Sequence, residues 1–296
     1  MGVLDGRVAV ITGGGRGIGA ALARAFAREG ASLVVNDLGS APDGVGGDKA
    51  PVHQVVEEIN GSGGQAVADD GDVADLATGE RLVATAVERY GKLDVLVNVA
   101  GILRDRMIFN LPEEDWDAVI RVHLKGHYST IRPASAYFRG QRNPDGNYRI
   151  INFTSVSGLQ GSPGQPNYAA AKMGVVGLTY SLAQALGRYG VTANAIAPGA
   201  ATRLTGVLPA EGDPGELAPD NIAPIALYLA SERSGWLSGR TVAAMGYEVG
   251  LYSNPEVIRQ VNGTGPWEFE HLARVVESNF RPVADGPPPS VFVPRG

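Results

Sequence analysis

The chain has 296 residues, 44% hydrophobic and 19% charged, which allows one large α/β domain and excludes a disordered or fibrous protein. It contains no cysteine, which excludes disulfide frameworks and thiolate metal sites, so redox chemistry requires a bound cofactor. A net charge of −6 without a long basic run disfavours nucleic acid or a membrane as partner, so we expect the protein to act on a small molecule. The early apolar run 8–11 is too short for a signal or membrane segment, so we expect a cytoplasmic protein.

Apolar runs rich in Val, Ile and Ala alternate with segments of helical period from residue 7 to about 249. This alternation predicts an α/β fold, a Rossmann-like doubly wound parallel sheet of about seven strands with helices on both faces. The predicted strands are 8–12, 32–36, 65–68, 95–98, 149–154, 192–197 and 241–245, and the predicted helices lie near 18–29, 51–60, 75–90, 113–139, 167–188 and 219–231.

A glycine-rich loop follows the first predicted strand and opens the first predicted helix. Glycines let the backbone approach a pyrophosphate, and the N–H groups at the start of a helix favour an anion. A plain strand-to-helix turn is the alternative, and the strand before, the helix after and an acid downstream disfavour it. The predicted cofactor contacts of this loop are Gly13, Arg16, Gly17, Ile18 and Gly19.

The downstream acid is Asp37, at the end of the second predicted strand. A carboxylate there can bind the ribose hydroxyls and repel a 2′-phosphate, which predicts NAD over NADP as the cofactor. Arg16 favours the opposite preference, because a base in the glycine loop can accept that phosphate. Asp72 follows the third strand and is placed to face the adenine, with an exposed turn residue as an equally good interpretation.

Tyr168 and Lys172 are four residues apart on a predicted helix, so both side chains project from one face. Tyrosine is a poor base at neutral pH, but an adjacent ammonium and a cationic nicotinamide favour its ionised form. Ser155 ends the fifth predicted strand, where its hydroxyl can hold the substrate oxygen. We therefore predict Tyr168 as the proton carrier, supported by Lys172 and Ser155.

These motifs resemble the short-chain dehydrogenase/reductase family from residue 7 to about residue 249. The resemblance implies hydride transfer at the nicotinamide C4 and a homodimer or homotetramer. It also implies that Tyr168 and Lys172 contact the cofactor, together with a set of residues around the strand ends: Val73, Asn98, Ala100, Gly101, Pro198, Gly199 and Thr202.

His123 occupies the position at which family members often have an asparagine that completes a proton relay. Histidine can also bind backbone and water, so we expect a relay role for it, with a structural role as the alternative. His123 and His127 have the spacing of zinc-binding histidines, but the glutamate of that motif is absent, so we expect no metal site.

A closer resemblance is to the (3R)-hydroxyacyl-CoA dehydrogenase unit of the multifunctional β-oxidation enzyme and its bacterial single-domain relatives. It rests on segments 34–39 and 101–106, on His123 and on an inserted loop. It implies oxidation of a 3-hydroxyacyl-CoA with NAD, where Arg104, Arg106 and Arg203 can meet CoA phosphates or form surface ion pairs. The residues leave open a hydroxysteroid or other alcohol, a 3-oxoacyl thioester reductase, and a catalytically silent nucleotide-binding scaffold.

The expected organisation is a single NAD-binding catalytic domain over residues 1–250, followed by a C-terminal extension over 251–296 with one short helix near 268–279. The Gly- and Pro-rich segment 39–50 is expected to be an inserted surface loop near the cofactor, and segment 202–220 a loop that closes over the substrate. The extension either packs on its own subunit or covers an active site.

Overall fold

The computed structural model describes residues 2–202, 215–284 and 286–293. Arg203, most of the expected substrate loop and the last three residues of the Pro-rich tail lie outside these ranges.

The described residues form one eight-stranded sheet. Its strands are β1 (Val8–Thr12), β2 (Ser32–Asn36), β3 (Gln65–Asp69), β4 (Val95–Asn98), β5 (Tyr148–Phe153), β6 (Val191–Gly199), β7 (Thr241–Met245) and β8 (Glu248–Leu251). The order is β3-β2-β1-β4-β5-β6-β7-β8, and every neighbouring pair is parallel except β7 and β8. The predicted doubly wound sheet is confirmed.

The strand number differs from the predicted seven because β8 adds an antiparallel edge. All four residues of β8 are exposed. β8 is only four residues long and follows β7 after two residues, and its alternate apolar residues Val249 and Leu251 are exposed, so a short pattern of this kind does not stand out as a separate strand.

The central strands are apolar along their whole length because helices cover both faces of a parallel sheet. All five residues of β1 are buried. Ile11 packs into a cluster with Phe26 on one face, while Val10 packs into a second cluster with Phe138 on the other. The alternate residues of one strand thus enter two different cores.

The helices of the described chain are α1 (Gly17–Arg28), α2 (Ala50–Gly61), α3 (Leu76–Tyr90), α4 (Glu113–Ile120), α5 (Gly126–Gly140), α6 (Val156–Gln160), α7 (Pro166–Leu186), α8 (Ala223–Ala230) and α9 (Phe269–Ala284). None of those helices is both long enough and apolar enough to span a membrane.

The helix predicted over 113–139 is helical along its whole length, but the prediction lacks a π turn within it. A π-helical turn, Arg121–Lys125, separates α4 from α5. The Nδ1 atom of His127 lies 2.5 Å from the His123 carbonyl oxygen, so a side chain binds a backbone acceptor at this turn. Single π turns inside helices are frequent at functional sites, and the apolar period of a sequence does not reveal them.

The direction of chain winding reverses between β1 and β4, which are neighbours in the sheet although β2 and β3 intervene in sequence. At such a reversal the loops after the two strands diverge to opposite faces and leave a crevice at the carboxyl ends of the strands. The fold thus places a cleft beside the glycine loop and the end of β5.

Candidate active site

A cleft of about 350 Å³ opens at the carboxyl ends of the strands. It brings together most of the residues predicted from the sequence. These are the catalytic candidates Ser155, Tyr168, Lys172 and His123 and the cofactor candidates Gly13, Arg16, Gly17, Ile18, Gly19, Asp37, Asp72, Val73, Ala100, Gly101, Pro198 and Thr202.

Two predicted cofactor residues, Asn98 and Gly199, are not among the cleft-lining residues. Asn98 is 2% exposed, accepts a hydrogen bond from Thr130 Oγ1 (2.7 Å) and donates to Asn152 Oδ1 (3.1 Å). It therefore ties β4 to β5 and α5 behind the cleft. A Cβ atom at Gly199 would lie 2.5 Å from Met245 Cγ, so β6 and β7 approach closely there.

The glycine loop between β1 and α1 has the geometry of a phosphate cradle. Gly13 has φ +67° and Gly17 has φ +52°, a backbone region that favours glycine. A Cβ atom at Gly13 would lie 2.7 Å from the Ala100 Cα atom, so this position also has no room for a side chain. No side chain caps the start of α1, which leaves its first N–H groups available to an anion. These residues fit a dinucleotide pyrophosphate.

Asp37 joins the glycine loop to the inserted loop. Its carboxylate accepts hydrogen bonds from the N–H groups of Gly15 (2.8 Å) and Gly39 (2.7 Å). Asp72 accepts from the Arg121 guanidinium (2.6 Å) and from the Ala74 N–H (2.8 Å). Both carboxylates are therefore oriented at the cleft by backbone donors, as a nucleoside-binding acid requires.

The inserted loop, which the sequence predicts to lie near the cofactor, forms a wall of the cleft. Four of its residues line the cleft: Ser40, Ala41, Pro42 and Gly44. Backbone contacts hold it, since the Leu103 N–H donates to the Pro42 carbonyl (2.8 Å) and Arg104 Nε donates to the Asp43 carbonyl (2.8 Å). An ion pair between Arg16 and Asp48 (2.8 Å) closes its far end. Gly- and Pro-rich composition predicts a loop here but not the contacts that hold it.

Three further cleft residues, Ala118, Arg121 and Val122, come from the region where α4 meets the π turn. They belong to no motif in the sequence. Their position lies at the π turn within this helix, which the sequence analysis does not predict.

The catalytic candidates meet where β5 ends and α7 begins. Ser155 caps the start of α6, and its Oγ atom accepts from the Ser157 N–H (3.1 Å). Tyr168 and Lys172 lie one turn apart on α7, with the Lys172 Nζ atom 5.6 Å from the centroid of the tyrosine ring. Lys172 Nζ donates to the Phe153 carbonyl (2.6 Å), which fixes the ammonium behind the tyrosine. The spacing predicted from the sequence therefore becomes a contact in space.

Burial has opposite effects on the two ionisable groups. It raises the pKa of Tyr168 to about 12, against a hydrogen bond with Ser155 that lowers this pKa. It lowers the pKa of Lys172 to about 7. Both shifts have one cause, since phenolate and ammonium each lose solvation in the protein. The ionised tyrosine expected from the sequence therefore needs positive charge in the cleft beyond that of Lys172.

His123 packs its ring edge against Tyr168, with the ring centroids 5.0 Å apart. Its Nε2 atom lies 2.7 Å from the Ile102 carbonyl oxygen. Burial and the nearby Lys172 charge hold the pKa of His123 well below its usual value, so the imidazole is neutral. His123 thus positions the tyrosine and the segment after β4, while its predicted relay role stays a prediction.

The two buried histidines do not converge on a metal position. Nε2 of His123 lies at the Ile102 backbone, 3.1 Å from its N–H donor nitrogen and 2.7 Å from its carbonyl oxygen, whereas Nδ1 of His127 lies at the His123 carbonyl. Over the ranges that the structure describes, no group of three or more His, Cys, Asp or Glu side chains could hold a metal ion.

The arginines proposed for CoA phosphates have different surroundings. Arg104 lines the cleft and forms an ion pair with Asp115 (3.1 Å). Arg106 is exposed and donates to the Asp105 carbonyl (3.0 Å). Arg203 lies outside the described residues.

Residues 7–211 match the family model described as short chain dehydrogenase. The chain is 41% identical over 292 residues to hydroxyacyl-CoA dehydrogenase ChsB1 of Mycobacterium tuberculosis, an alignment that covers 94% of this chain and 89% of that protein. It is 46% identical over 230 residues to the peroxisomal multifunctional enzyme type 2 of Drosophila melanogaster, covering 77% of this chain but only 37% of that enzyme.

A solved short chain dehydrogenase from Mycobacterium paratuberculosis, bound to NAD, has the same fold with a TM-score of 0.74 and 26% identity, covering 83% of this chain and 98% of that one. The resemblance predicted from the sequence is thus confirmed at the level of fold and of relatives. The alignment with the mycobacterial dehydrogenase also extends into the C-terminal extension, for which the sequence motifs offer no argument.

Proposed function

The chain belongs to the short-chain dehydrogenase family, an oxidoreductase family that acts on CH–OH groups with NAD or NADP, and from this premise we propose that it oxidises a (3R)-hydroxyacyl-CoA to the 3-oxoacyl-CoA with NAD. The observation that carries the reaction type is the group of Ser155, Tyr168 and Lys172 in one cleft with the glycine loop. The hydroxyacyl-CoA dehydrogenase name of the mycobacterial relative supports the substrate class.

The proposed roles follow from the chemistry of the three side chains. Ser155 holds the substrate oxygen, and Tyr168 Oη accepts its proton as the C–O bond gains double-bond character. The Lys172 ammonium favours the phenolate form that accepts this proton. The bound nicotinamide supplies the hydride acceptor, so the alcohol loses one hydride and one proton. His123, packed against Tyr168, keeps the phenol ring facing the cleft.

We propose NAD in preference to NADP because of the charges at the ribose end of the cleft. Asp37 presents a carboxylate between the glycine loop and the inserted loop. Arg16, which could otherwise accept a 2′-phosphate, is paired with Asp48. A 2′-phosphate would therefore meet the carboxylates of Asp37 and Asp48, and the positive charge of Arg16 is already balanced by Asp48.

The test of the proposed function is NADH formation with purified protein. The substrates are (3R)- and (3S)-hydroxyacyl-CoAs, hydroxysteroids and simple alcohols, and the control is Tyr168→Phe. We expect turnover of the (3R)-hydroxyacyl-CoAs and a loss of about 10²- to 10⁴-fold in the variant, the usual contribution of a general acid or base. Exclusive turnover of a steroid or alcohol would reject the substrate, and equal turnover by Tyr168→Phe would reject the mechanism.

We further propose a single catalytic domain over residues 1–250 and a homodimer or homotetramer. Exposed apolar side chains on β8, including Val249 (62% exposed) and Leu251 (63% exposed), support association through this edge of the sheet. Sedimentation analysis of the full chain tests the association: a monomer at micromolar concentration would contradict it.

A further inference from the structure

A chain of hydrogen bonds runs behind the wall of the cleft that carries Ser155. It begins at the Asp105 carboxylate, where Oδ2 accepts from Gln165 Nε2 (2.8 Å). Gln165 Oε1 in turn accepts from Ser157 Oγ (2.8 Å), and the Ser157 N–H donates to Ser155 Oγ (3.1 Å). Asp105, Gln165 and Ser157 are not among the described residues that line the cleft, so the chain reaches the cleft only at Ser155.

The carboxylate fixes the direction of the side-chain hydrogen bonds in this chain. An ionised carboxylate only accepts, so the Gln165 amide must turn its NH₂ group towards Asp105. The amide oxygen Oε1 then faces Ser157, and since this oxygen also only accepts, the hydroxyl hydrogen of Ser157 is committed to it. Asp105 thereby determines an orientation that the amide itself leaves open, because its oxygen and nitrogen ends have nearly the same shape.

The serine end of the chain lies at a turn that needs support from other segments. Ser155 caps α6, a helix of five residues, and so short a helix is not stable without contacts to the rest of the protein. Ser157 is 4% exposed, so its bond to Gln165 is shielded from water that could otherwise replace it. Because Gln165 directly precedes α7, this bond ties the turn that holds Ser155 to the start of the helix that carries Tyr168.

The carboxylate end of the chain brings in a third segment. Asp105 belongs to the segment after β4, which is far from α7 in sequence. The same segment is bonded to the start of α7 a second time, because Asn167 Nδ2 donates to the Arg104 carbonyl (3.0 Å). Of these two contacts, the one at Asp105 continues through side chains towards Ser155.

The charge of Asp105 and its hydrogen bond act on the site in opposite directions. Arg104 is paired with Asp115, and Arg106 donates to the backbone carbonyl of Asp105. Burial is the largest cause of the raised pKa of Tyr168, and the negative charge of Asp105 raises this pKa further. The charge therefore opposes ionisation of the tyrosine, so a benefit of Asp105 to the reaction must come from its hydrogen bond.

We propose that Asp105 is a positioning residue, which acts through Gln165 and Ser157 to hold Ser155 in the orientation that binds the substrate oxygen. The Ser155 hydroxyl accepts from the Ser157 N–H and keeps its own hydrogen for the substrate oxygen. The inference rests on the proposed function for its kinetic test but not for its structural test.

Four variants separate the position of Asp105 from its charge. Asp105→Asn can still accept from Gln165 through its amide oxygen but lacks the charge, whereas Asp105→Ala lacks both. Gln165→Met removes the polar atoms at the middle of the chain with little change in side-chain length. Ser290→Ala is the matched control, because its Oγ atom donates to the Gly161 carbonyl (2.8 Å), directly after α6, without joining the chain.

The first measurement needs no substrate. Crystal structures of the wild type and the variants give the position of the Ser155 side chain. In Asp105→Ala and Gln165→Met we expect Ser155 Oγ to leave the Ser157 N–H or to occupy a second rotamer, whereas in Asp105→Asn and Ser290→Ala it keeps this bond. An unchanged Ser155 side chain in Asp105→Ala overturns the inference, as does an equal displacement in Ser290→Ala.

The second measurement is steady-state kinetics on the substrate found in the panel above. For Asp105→Ala we expect about tenfold lower kcat with KM unchanged within about twofold, because the bond that positions Ser155 matters most in the transition state. Asp105→Asn should stay within about threefold of the wild-type kcat, because its amide oxygen still accepts from Gln165. Equal losses in the Asn and Ala variants would mean that the charge matters and not the position.

A double variant tests whether Asp105 acts through Ser155. In a Ser155→Ala background, Asp105→Ala should lower kcat by less than about a further twofold, because the residue on which it acts is absent. A further loss of about tenfold in that background would contradict the inference. If no substrate is turned over, the proposed function fails, while the crystal structures still decide the role of Asp105.

Discussion

The cleft has two walls that hold charge in different ways. The catalytic wall, formed by Ser155, Tyr168, Lys172 and His123, contains a lysine that is only 3% exposed. The loop wall, formed by residues 39–48 and Arg16, is held by the Arg16–Asp48 pair, whose side chains are 28% and 62% exposed. A substitution at Lys172 in the catalytic wall removes a charge that has lost its solvation. A substitution at Asp48 in the loop wall removes a charged group whose interaction water can replace. The same kind of substitution should therefore have very different effects on the two walls.

The largest effect is expected for Lys172→Met, in the catalytic wall. Turnover should fall by about 10²- to 10⁴-fold, because the phenolate of Tyr168 loses its supporting charge. The apolar replacement should also raise the free energy of unfolding at neutral pH, because a desolvated charge is removed. Steady-state kinetics and urea unfolding measure the two effects. Lower stability together with full activity would contradict the expectation that a substitution in the catalytic wall has the larger effect.

The same substitution has a pH signature. The folded-state pKa of Lys172, about 7, lies below its ordinary value of 10.5, so between these pH values the unfolded chain binds more protons. The free energy of unfolding contributed by Lys172 should therefore rise with pH across this window, and Lys172→Met should lack that rise. Unfolding curves of both proteins near pH 7 and near pH 10.5 measure this change in the free energy of unfolding. An equal rise with pH in Lys172→Met would contradict the lowered pKa of Lys172.

Asp37→Ala should give an intermediate effect, because Asp37 is partly buried and binds backbone donors of both loops. Charged hydrogen bonds contribute about 1.5–3 kcal/mol, so the preference for NAD over NADP should fall roughly tenfold to a hundredfold. The ratio of kcat/KM for the two dinucleotides measures it. An unchanged ratio would show that Asp37 only ties the loops together.

Asp48→Ala should have a smaller effect in the same direction, because an exposed ion pair contributes about 0.2–1 kcal/mol. Loss of Asp48 leaves Arg16 able to attract a 2′-phosphate, so kcat/KM with NADP should rise up to about fivefold. This gain should shrink at high salt, where exposed charges are screened. A gain that is independent of salt would mean that the pair is less exposed to solvent than the structure shows.

Arg106→Ala tests the mouth of the cleft and should have the smallest effect. If this exposed base meets a CoA phosphate, KM for the acyl-CoA should rise about two- to fivefold with kcat unchanged, within the range of a surface charge interaction. Arg132→Ala, at an exposed arginine paired with Glu80, is a matched control. Equal KM values for both variants would remove Arg106 from the proposed substrate contacts.

The outline of the fold could be predicted because its signals are local. A fully apolar strand such as β1 and a glycine loop before α1 each carry their information within a few residues. The π turn and β8 could not be predicted in this way. One depends on a side chain bonded to the backbone within a helix, and the other is a four-residue edge strand without a buried face.

The sequence by itself determined where the proposed functional side chains stand: Tyr168 and Lys172 share a helix face by their spacing, Ser155 stands at a strand end, and Asp37 closes the second strand. These placements follow from the repeat of a helix and the end of a strand, which do not depend on distant contacts. Only the tertiary structure decided which contacts hold the inserted loop against the cleft and that His123 packs against Tyr168. Both depend on packing between segments far apart in the chain, and burial then sets the charges of Lys172 and Tyr168.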